Sequence, residues 1–343
     1  MRALPSIREA IGGTPTVRLS RFAGDLDCEL FAKCEFMNPG GSIKDRIGFY
    51  MVEQAERSGQ LRPGGTIVEA TAGNTGMGLA MAAARKGYRL IVVMTTKMSE
   101  EKVNLMRACG AEVVIVPYGV PPDSPDSFIN RAKEIARQTP GAWLANQFEN
   151  QDNSDAHYFT TGPEVWQQTE GDFDVLVAGL GTGGTLAGVG RYLKERKPAI
   201  KLVLADPEGS IHAELWRNRT KPKAHPYYIE GIGGDFVPPI ADLNLIDAAI
   251  TISDREAIST ALRLMQTEGI FAGGSSGCIL AAARVFCADL KGLKVLALLP
   301  DGGRSYLSTI FSPQWREAHG IELSGLCLKS KQTHLEGVST VTR

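Results

Sequence analysis

The chain carries almost no net charge. Its 343 residues hold 37 lysines and arginines against 38 aspartates and glutamates. No strong run of either sign occurs, so the basic patch that nucleic acid or an anionic membrane surface needs is missing. Histidine is scarce, and the five residues at 157, 212, 225, 319 and 334 are scattered. The six cysteines, at 28, 34, 109, 278, 287 and 327, form no C-x-x-C pair and no zinc spacing, so no metal site is expected. They read as small apolar fillers in a reducing cytosol. No apolar run is long enough to span a bilayer. The opening MRALPSIREA lacks the apolar segment of a secretory signal. The expectation is a cytoplasmic protein that acts on small molecules.

What is present is an ordinary globular composition, 43% hydrophobic and 22% charged. Short β-branched runs mark candidate strands: 29-ELFAK-33, 66-TIVEA-70, 89-RLIVVM-94, 112-EVVIV-116, 174-DVLVAGL-180, 201-KLVLAD-206 and 294-KVLALLP-300. Several are apolar with little alternation, as strands covered on both faces are. Helical patterns lie between them, at 47–59, 74–87, 99–110, 183–197 and 276–290, and two stop at Gly87 and Gly110. The alternation predicts an α/β fold with two open, twisted parallel-sheet domains and a cleft between them. A smaller domain is expected over 45–147, and a larger one from 1–44 and 148–323. The polar segment 149-ENQDNSDAH-157 joins the two, and 324–343 reads as a loose tail.

Three glycine-rich turns stand at predicted strand-to-helix junctions: 71-TAGNTG-76, 180-LGTGGT-185 and 272-AGGSSG-277. Glycine lets backbone approach a ligand, and helix-start N–H groups favour an anion. The second turn offers backbone donors from Gly181, Gly183 and Gly184 and hydroxyls from Thr182 and Thr185. It is not a Walker loop, because no G-K-[ST] follows, and it is not G-x-G-x-x-G, because Leu186 falls where the third glycine belongs. The first turn suits a carboxylate, with Asn74 reaching a second oxygen. Alone, each is equally a tight turn or an N-cap cluster, as Ser275 and Ser276 are for the third. Lys44, in 36-FMNPGGSIKDR-46, adds an amine at another helix start, where an ammonium is disfavoured. A lysine, a phosphate cradle, a carboxylate loop and a hydroxyl together are what pyridoxal phosphate chemistry needs.

The motifs 38-NPGGSIKDR-46, 69-EATAGNTGMGLA-80, 98-MSEEKVNLMRACGAEV-113, 178-AGLGTGGTLAG-188, 206-DPEGS-210, 230-EGIGGDF-236, 273-GGSSG-277 and 299-LPDGGRSYL-307 carry a resemblance. The chain resembles the cysteine synthase and cystathionine β-synthase family, within the tryptophan-synthase-β-like pyridoxal-phosphate enzymes. The likeness runs from 11-IGGTPTVRL-19 to about 318-AHGIEL-323. It implies that pyridoxal phosphate lies in the cleft and is bound by Lys44 as an imine. Lys44 is also the implied catalytic base. Asn74 would meet the ring hydroxyl, Gly181, Thr182, Gly183, Gly184 and Thr185 the phosphate, and Ser275 the ring nitrogen. Thr71, Ala72, Gly73, Thr75, Gln147 and Gly231 would form the substrate site. A neutral Ser275 partner implies a weaker electron sink, which favours loss of a β-substituent over transamination.

The implied reaction is a β-replacement on serine or an O-activated serine, in a homodimer. The segments 206–210 and 230–236 lean towards cystathionine β-synthases, with Glu208, Glu230 and Asp235 suited to the ammonium group of homocysteine. Alternatives are a cysteine synthase using sulfide and O-acetylserine, a diaminopropionate-type synthase using an amine, and a serine dehydratase. Ala72 replaces a serine common in relatives, which points to an activated serine ester. About ten residues precede 11-IGGTP-15, and nothing after 323 resembles paired regulatory domains. The expectation is a haem-free enzyme of bacterial type.

Overall fold

The structure is a computed structural model and describes residues 3–71, 73–96, 98, 100–121 and 124–323. The expected tail, 324–343, and Ala72 lie outside the described residues. Strands β1 (Thr16–Arg18) and β2 (Glu29–Cys34) lead into helix α1 (Lys44–Arg57). Next come β3 (Thr66–Ala70), α2 (Asn74–Lys86), β4 (Arg89–Thr95), α3 (Glu100–Ala108), β5 (Glu112–Val116), α4 (Phe128–Gln138) and β6 (Ala142–Leu144). Helices α5 (Gln151–Ala156) and α6 (Gly162–Thr169) precede β7 (Val175–Gly179), α7 (Gly184–Arg196), β8 (Lys201–Pro207) and α8 (His212–Asn218). The chain closes with β9 (Ala248–Ile252), α9 (Asp254–Glu268), α10 (Gly274–Cys287), β10 (Lys294–Leu299) and α11 (Pro313–Ala318).

Two sheets result, as the alternation predicts. One has the order β5-β4-β3-β6 and is parallel throughout. The other has the order β1-β2-β10-β7-β8-β9 and is parallel except for β1, an antiparallel edge. Successive side chains of a strand face opposite ways. Val175 and Val177 of β7 therefore enter one core, with α9 and α10. Leu176 and Ala178 enter the other, with α6 and α7. Both faces are covered, which is why β7 reads as one apolar run.

The stretch around Lys44 links the two sheets. Ile43 packs in the core of the six-stranded sheet, and Ile47, Phe49 and Met51 pack against the four-stranded one. Helices α1 and α2 touch backbone to backbone. A Cβ on Gly48 would lie 2.3 Å from the Gly78 carbonyl carbon, and one on Gly78 would lie 2.6 Å from the Lys44 carbonyl oxygen.

Some expectations need correction. The polar segment 149–157 is not a bare connection: it holds α5 and starts a π-helical turn, His157–Thr161. Asn153, Ser154 and His157 are buried there, where Asn153 Nδ2 donates to the Gln147 carbonyl and His157 Nδ1 pairs with Thr161 Oγ1. Ser275 and Ser276 do not cap the third helix. The cap position is Gly273, so both serines lie inside the first turn of α10. That turn follows α9 instead of a strand, and it is tied to the end of β10 by a single bridge, Ala272 to Gly302.

A buried ion network fixes the start of α1. Arg46 donates through Nε to Glu35 Oε2 at 2.7 Å and through Nη1 to Glu164 Oε2 at 2.9 Å. Glu35 also accepts from Asn38 Nδ2 at 2.9 Å and from Thr14 Oγ1 at 2.7 Å. Lys33, itself buried, donates to Glu164. Burial would push the Glu164 carboxyl up, but Arg46 and Lys33 hold it down at about 2. Removing one partner of a buried pair strands the other charge. The Glu35→Gln variant should therefore lose about 3–5 kcal/mol of stability, read from the shift of a urea unfolding midpoint at constant slope. A loss under 1 kcal/mol would mean that the network contributes only what surface pairs do.

Candidate active site

Three helices that begin without a side-chain cap have glycine at the cap position. The cap positions of α2, α7 and α10 are Gly73, Gly183 and Gly273. By contrast, α4, α5, α9 and α11 are capped by Ser127, Asn150, Ser253 and Ser312. A capping oxygen would use the N–H groups that an anionic ligand needs. Gly73, with φ of 152°, and Gly183, with φ of 87°, also adopt conformations that other residues rarely take.

Lys44 is the first residue of α1 and is partly open to solvent. Its Nζ donates to Thr182 Oγ1 at 3.4 Å, which brings it to the turn 181–185. Burial in the cleft walls pulls its amine down to about 8, with the Asp301 carboxylate opposing. The expectation of a lysine with lowered proton affinity therefore has a geometric cause.

The turn 181–185 lies against two neighbours. A Cβ on Gly181 would sit 2.3 Å from the Gly231 carbonyl oxygen, and one on Gly184 would sit 2.1 Å from Asn153 Oδ1. Thr185 Oγ1 pairs with His157 Nε2 at 3.1 Å. His157 is buried, and burial first, then Lys44 and Arg46, push its pKa well below the usual value. It stays neutral.

At the start of α2, Gly73 N donates to Thr71 Oγ1 at 3.3 Å and Thr75 Oγ1 donates to Gln147 Oε1 at 2.5 Å. Gln147 Nε2 donates to the Ala70 carbonyl at 3.2 Å. Thr71, Thr75 and Gln147 are all buried. Beneath them burial lifts the Glu69 carboxyl to about 8 against its bonds from Gln147 and Asn146, so it is largely protonated at neutral pH.

Asn74 and Ser275 meet at a residue that the sequence reading left out. Asp301 accepts from Asn74 Nδ2 at 2.8 Å, from the Tyr306 hydroxyl at 2.5 Å and from Ser275 Oγ at 3.4 Å. Burial pushes its pKa up, while Tyr306, Asn74 and Lys102 oppose that. Its signal was within 299-LPDGGRSYL-307: an acid just past the carboxyl end of β10, where ligands gather in open sheets. Asn153 and His157 were hidden in the polar segment.

The acids of the second half separate. Segments 206–210 and 230–236 are zipped together, with Gly234 N donating to Ser210 Oγ at 3.0 Å and Ile211 N to the Gly234 carbonyl at 3.0 Å. Glu208 and Asp235 are exposed. Glu230 is not free, because it pairs with Lys102 of α3. Gly231, with φ of 86°, is exposed beside Gly181. Among the described residues, no cluster of three His, Cys, Asp or Glu side chains is arranged to hold a metal, and no helix is long and apolar enough to cross a membrane.

The chain is similar to known proteins. A family profile described as pyridoxal-phosphate dependent enzyme matches residues 7–301. A cystathionine beta-synthase of Apis mellifera is 44% identical over 322 residues, covering 93% of this chain and 64% of that protein. The chain thus spans under two thirds of the curated cystathionine beta-synthases it matches first. Cysteine synthase 1 of Neurospora crassa is 43% identical over 314 residues, covering 90% of this chain and 83% of that one. The solved O-acetylserine dependent cystathionine beta-synthase of Helicobacter pylori is 38% identical with a TM-score of 0.82, over 90% of this chain and 99% of that one.

The Lys44 amine gives a direct test. Only the neutral amine condenses with an aldehyde, so capture of pyridoxal phosphate by apoprotein should accelerate as pH rises through about 8. Borohydride trapping and peptide mapping should find the label on Lys44. A midpoint at the ordinary lysine value, or label on another lysine, refutes the assignment.

Proposed function

The chain belongs to the pyridoxal-phosphate dependent enzyme family, and we propose that it catalyses β-replacement on serine or an O-activated serine, with homocysteine as acceptor and cystathionine as product. The observation that carries the proposal is the contact of Lys44 with Thr182 at the uncapped start of α7. An amine of low proton affinity and a set of free helix-start N–H groups suit the two ends of the cofactor, its aldehyde and its phosphate. When bound, pyridoxal phosphate supplies an electron sink that eases loss of the substrate Cα proton and the β-substituent.

The chain's own groups then have these roles. Lys44 Nζ fixes the cofactor, takes the Cα proton and returns it after the acceptor adds. Its lowered proton affinity keeps much of the amine neutral near pH 8. Gly181 to Thr185 hold the phosphate, and Asn74 and Ser275 orient the ring. Thr71, Ala72, Gly73, Thr75, Gln147 and Gly231 bind the amino-acid substrate. Support for the carboxylate site comes from the uncapped α2 start beside Thr75 and Gln147.

Homocysteine is favoured by the exposed acids Glu208 and Asp235 on the two zipped segments. An ammonium group on the acceptor benefits from them, and sulfide has none. The names of the Apis and Helicobacter relatives point the same way. A second reading, cysteine synthesis from sulfide, is favoured by the Neurospora relative, most of whose length the chain covers. We further propose a cytoplasmic location and a homodimer, the second of which light scattering on the pure protein checks.

Product mass spectrometry decides between the acceptors. Serine, O-acetylserine and O-phosphoserine are each offered with homocysteine, sulfide and a panel of amines. Cystathionine should form with a specificity constant at least equal to that for sulfide. In Glu208→Gln the homocysteine value should fall about tenfold and the sulfide value should hold, the loss expected for one charge-assisted hydrogen bond. Parallel losses would make Glu208 structural and favour the cysteine synthase reading. Ammonia and pyruvate without a thiol would mark a dehydratase, and an amine adduct a diaminopropionate-type enzyme.

A further inference from the structure

Asn153 belongs to no functional motif, yet it touches both halves of the site. It lies on α5, fully buried, between the carboxylate loop and the turn 181–185. Its Nδ2 donates to the Gln147 carbonyl oxygen at 2.7 Å and to Thr182 Oγ1 at 3.1 Å. The orientation of the amide is forced, because a carbonyl oxygen only accepts and so must face the NH2 group. Asn153 Oδ1 is buried without a partner, against Gly184.

Hydrogen-bond direction then follows along the chain of contacts. A threonine hydroxyl has two acceptor sites and one proton. Thr182 Oγ1 accepts from Asn153 Nδ2 and from Lys44 Nζ. Its remaining capacity is to donate. We propose that Asn153 is a positioning residue that holds the Thr182 hydroxyl as a donor towards an anion in the turn 181–185 and locks that turn to Gln147. The anion is the cofactor's phosphate, so the inference rests on the functional reading above.

The test measures binding by apoprotein, not turnover. Pyridoxal phosphate and pyridoxal, which lacks the phosphate, are titrated by absorbance against wild type, Asn153→Ala, Asn153→Asp, Thr182→Val and the Asn153→Ala/Thr182→Val double variant. Asn153→Ala should weaken pyridoxal phosphate about tenfold, as loss of the Thr182 hydrogen bond to a charged group does, and leave pyridoxal unchanged. Asn153→Asp keeps the volume but turns the donor into an acceptor, so it should lose more than the alanine variant. The double variant should be no weaker than the weaker single one, since both changes remove the same hydrogen bond. Equal loss for both ligands, additive losses, or wild-type affinity in Asn153→Asp overturns the proposal. Should Asn153→Ala not fold, the isosteric Asn153→Asp decides alone. A wild type that binds neither ligand overturns the functional reading itself, an outcome distinct from wild-type binding with indifferent Asn153 variants.

Discussion

The placement of Lys44 depends on a buried guanidinium two residues away. Arg46 is clasped by Glu35, from the turn after β2, and by Glu164, from α6. Neither acid can leave without stranding a positive charge in the interior, which several kcal/mol oppose. The first turn of α1 is therefore pinned by charge as well as by the core contacts of Ile43 and Ile47. An amine on such a mount keeps its position when its own charge changes. That suits a group expected to gain and lose a proton in place.

The open helix starts complement this rigid amine. The protein starts α4, α5, α9 and α11 on the side-chain caps Ser127, Asn150, Ser253 and Ser312. Around the cleft it uses glycine and leaves the N–H groups without a side-chain partner. Two of these starts follow the carboxyl ends of β3 and β7, the usual place for ligands in parallel sheets. The third reaches the same region through Asp301, which follows β10 and joins Ser275 to Asn74.

Strands β3, β4, β5, β7, β8 and β10 were legible because both faces of each are apolar or β-branched. The glycine turns and Lys44 were legible because their chemistry is local. Other features were not. Strand β6 is three residues long, too short for a pattern. Helix α5, with the sequence QDNSDA, looks like a surface linker, because a buried amide that donates hydrogen bonds is indistinguishable from a solvated one in sequence. The pairing of Glu230 with Lys102 needed the approach of residues 128 apart. Asp301 was quoted within a motif but gained meaning only when three donors converged on it.

The glycine contact between α1 and α2 bears on how such an enzyme changes over time. Gly48 and Gly78 bring two backbones together with no side chain between them. The spacing of Lys44 from the loop that opens α2 is therefore set by main-chain atoms and cannot be tuned by residue size. Any larger residue at either position would wedge both helices apart at once. The exposed side chains of Glu208 and Asp235 are under no such restraint. Single substitutions can act there, while the spacing of the amine from the start of α2 is inherited unchanged.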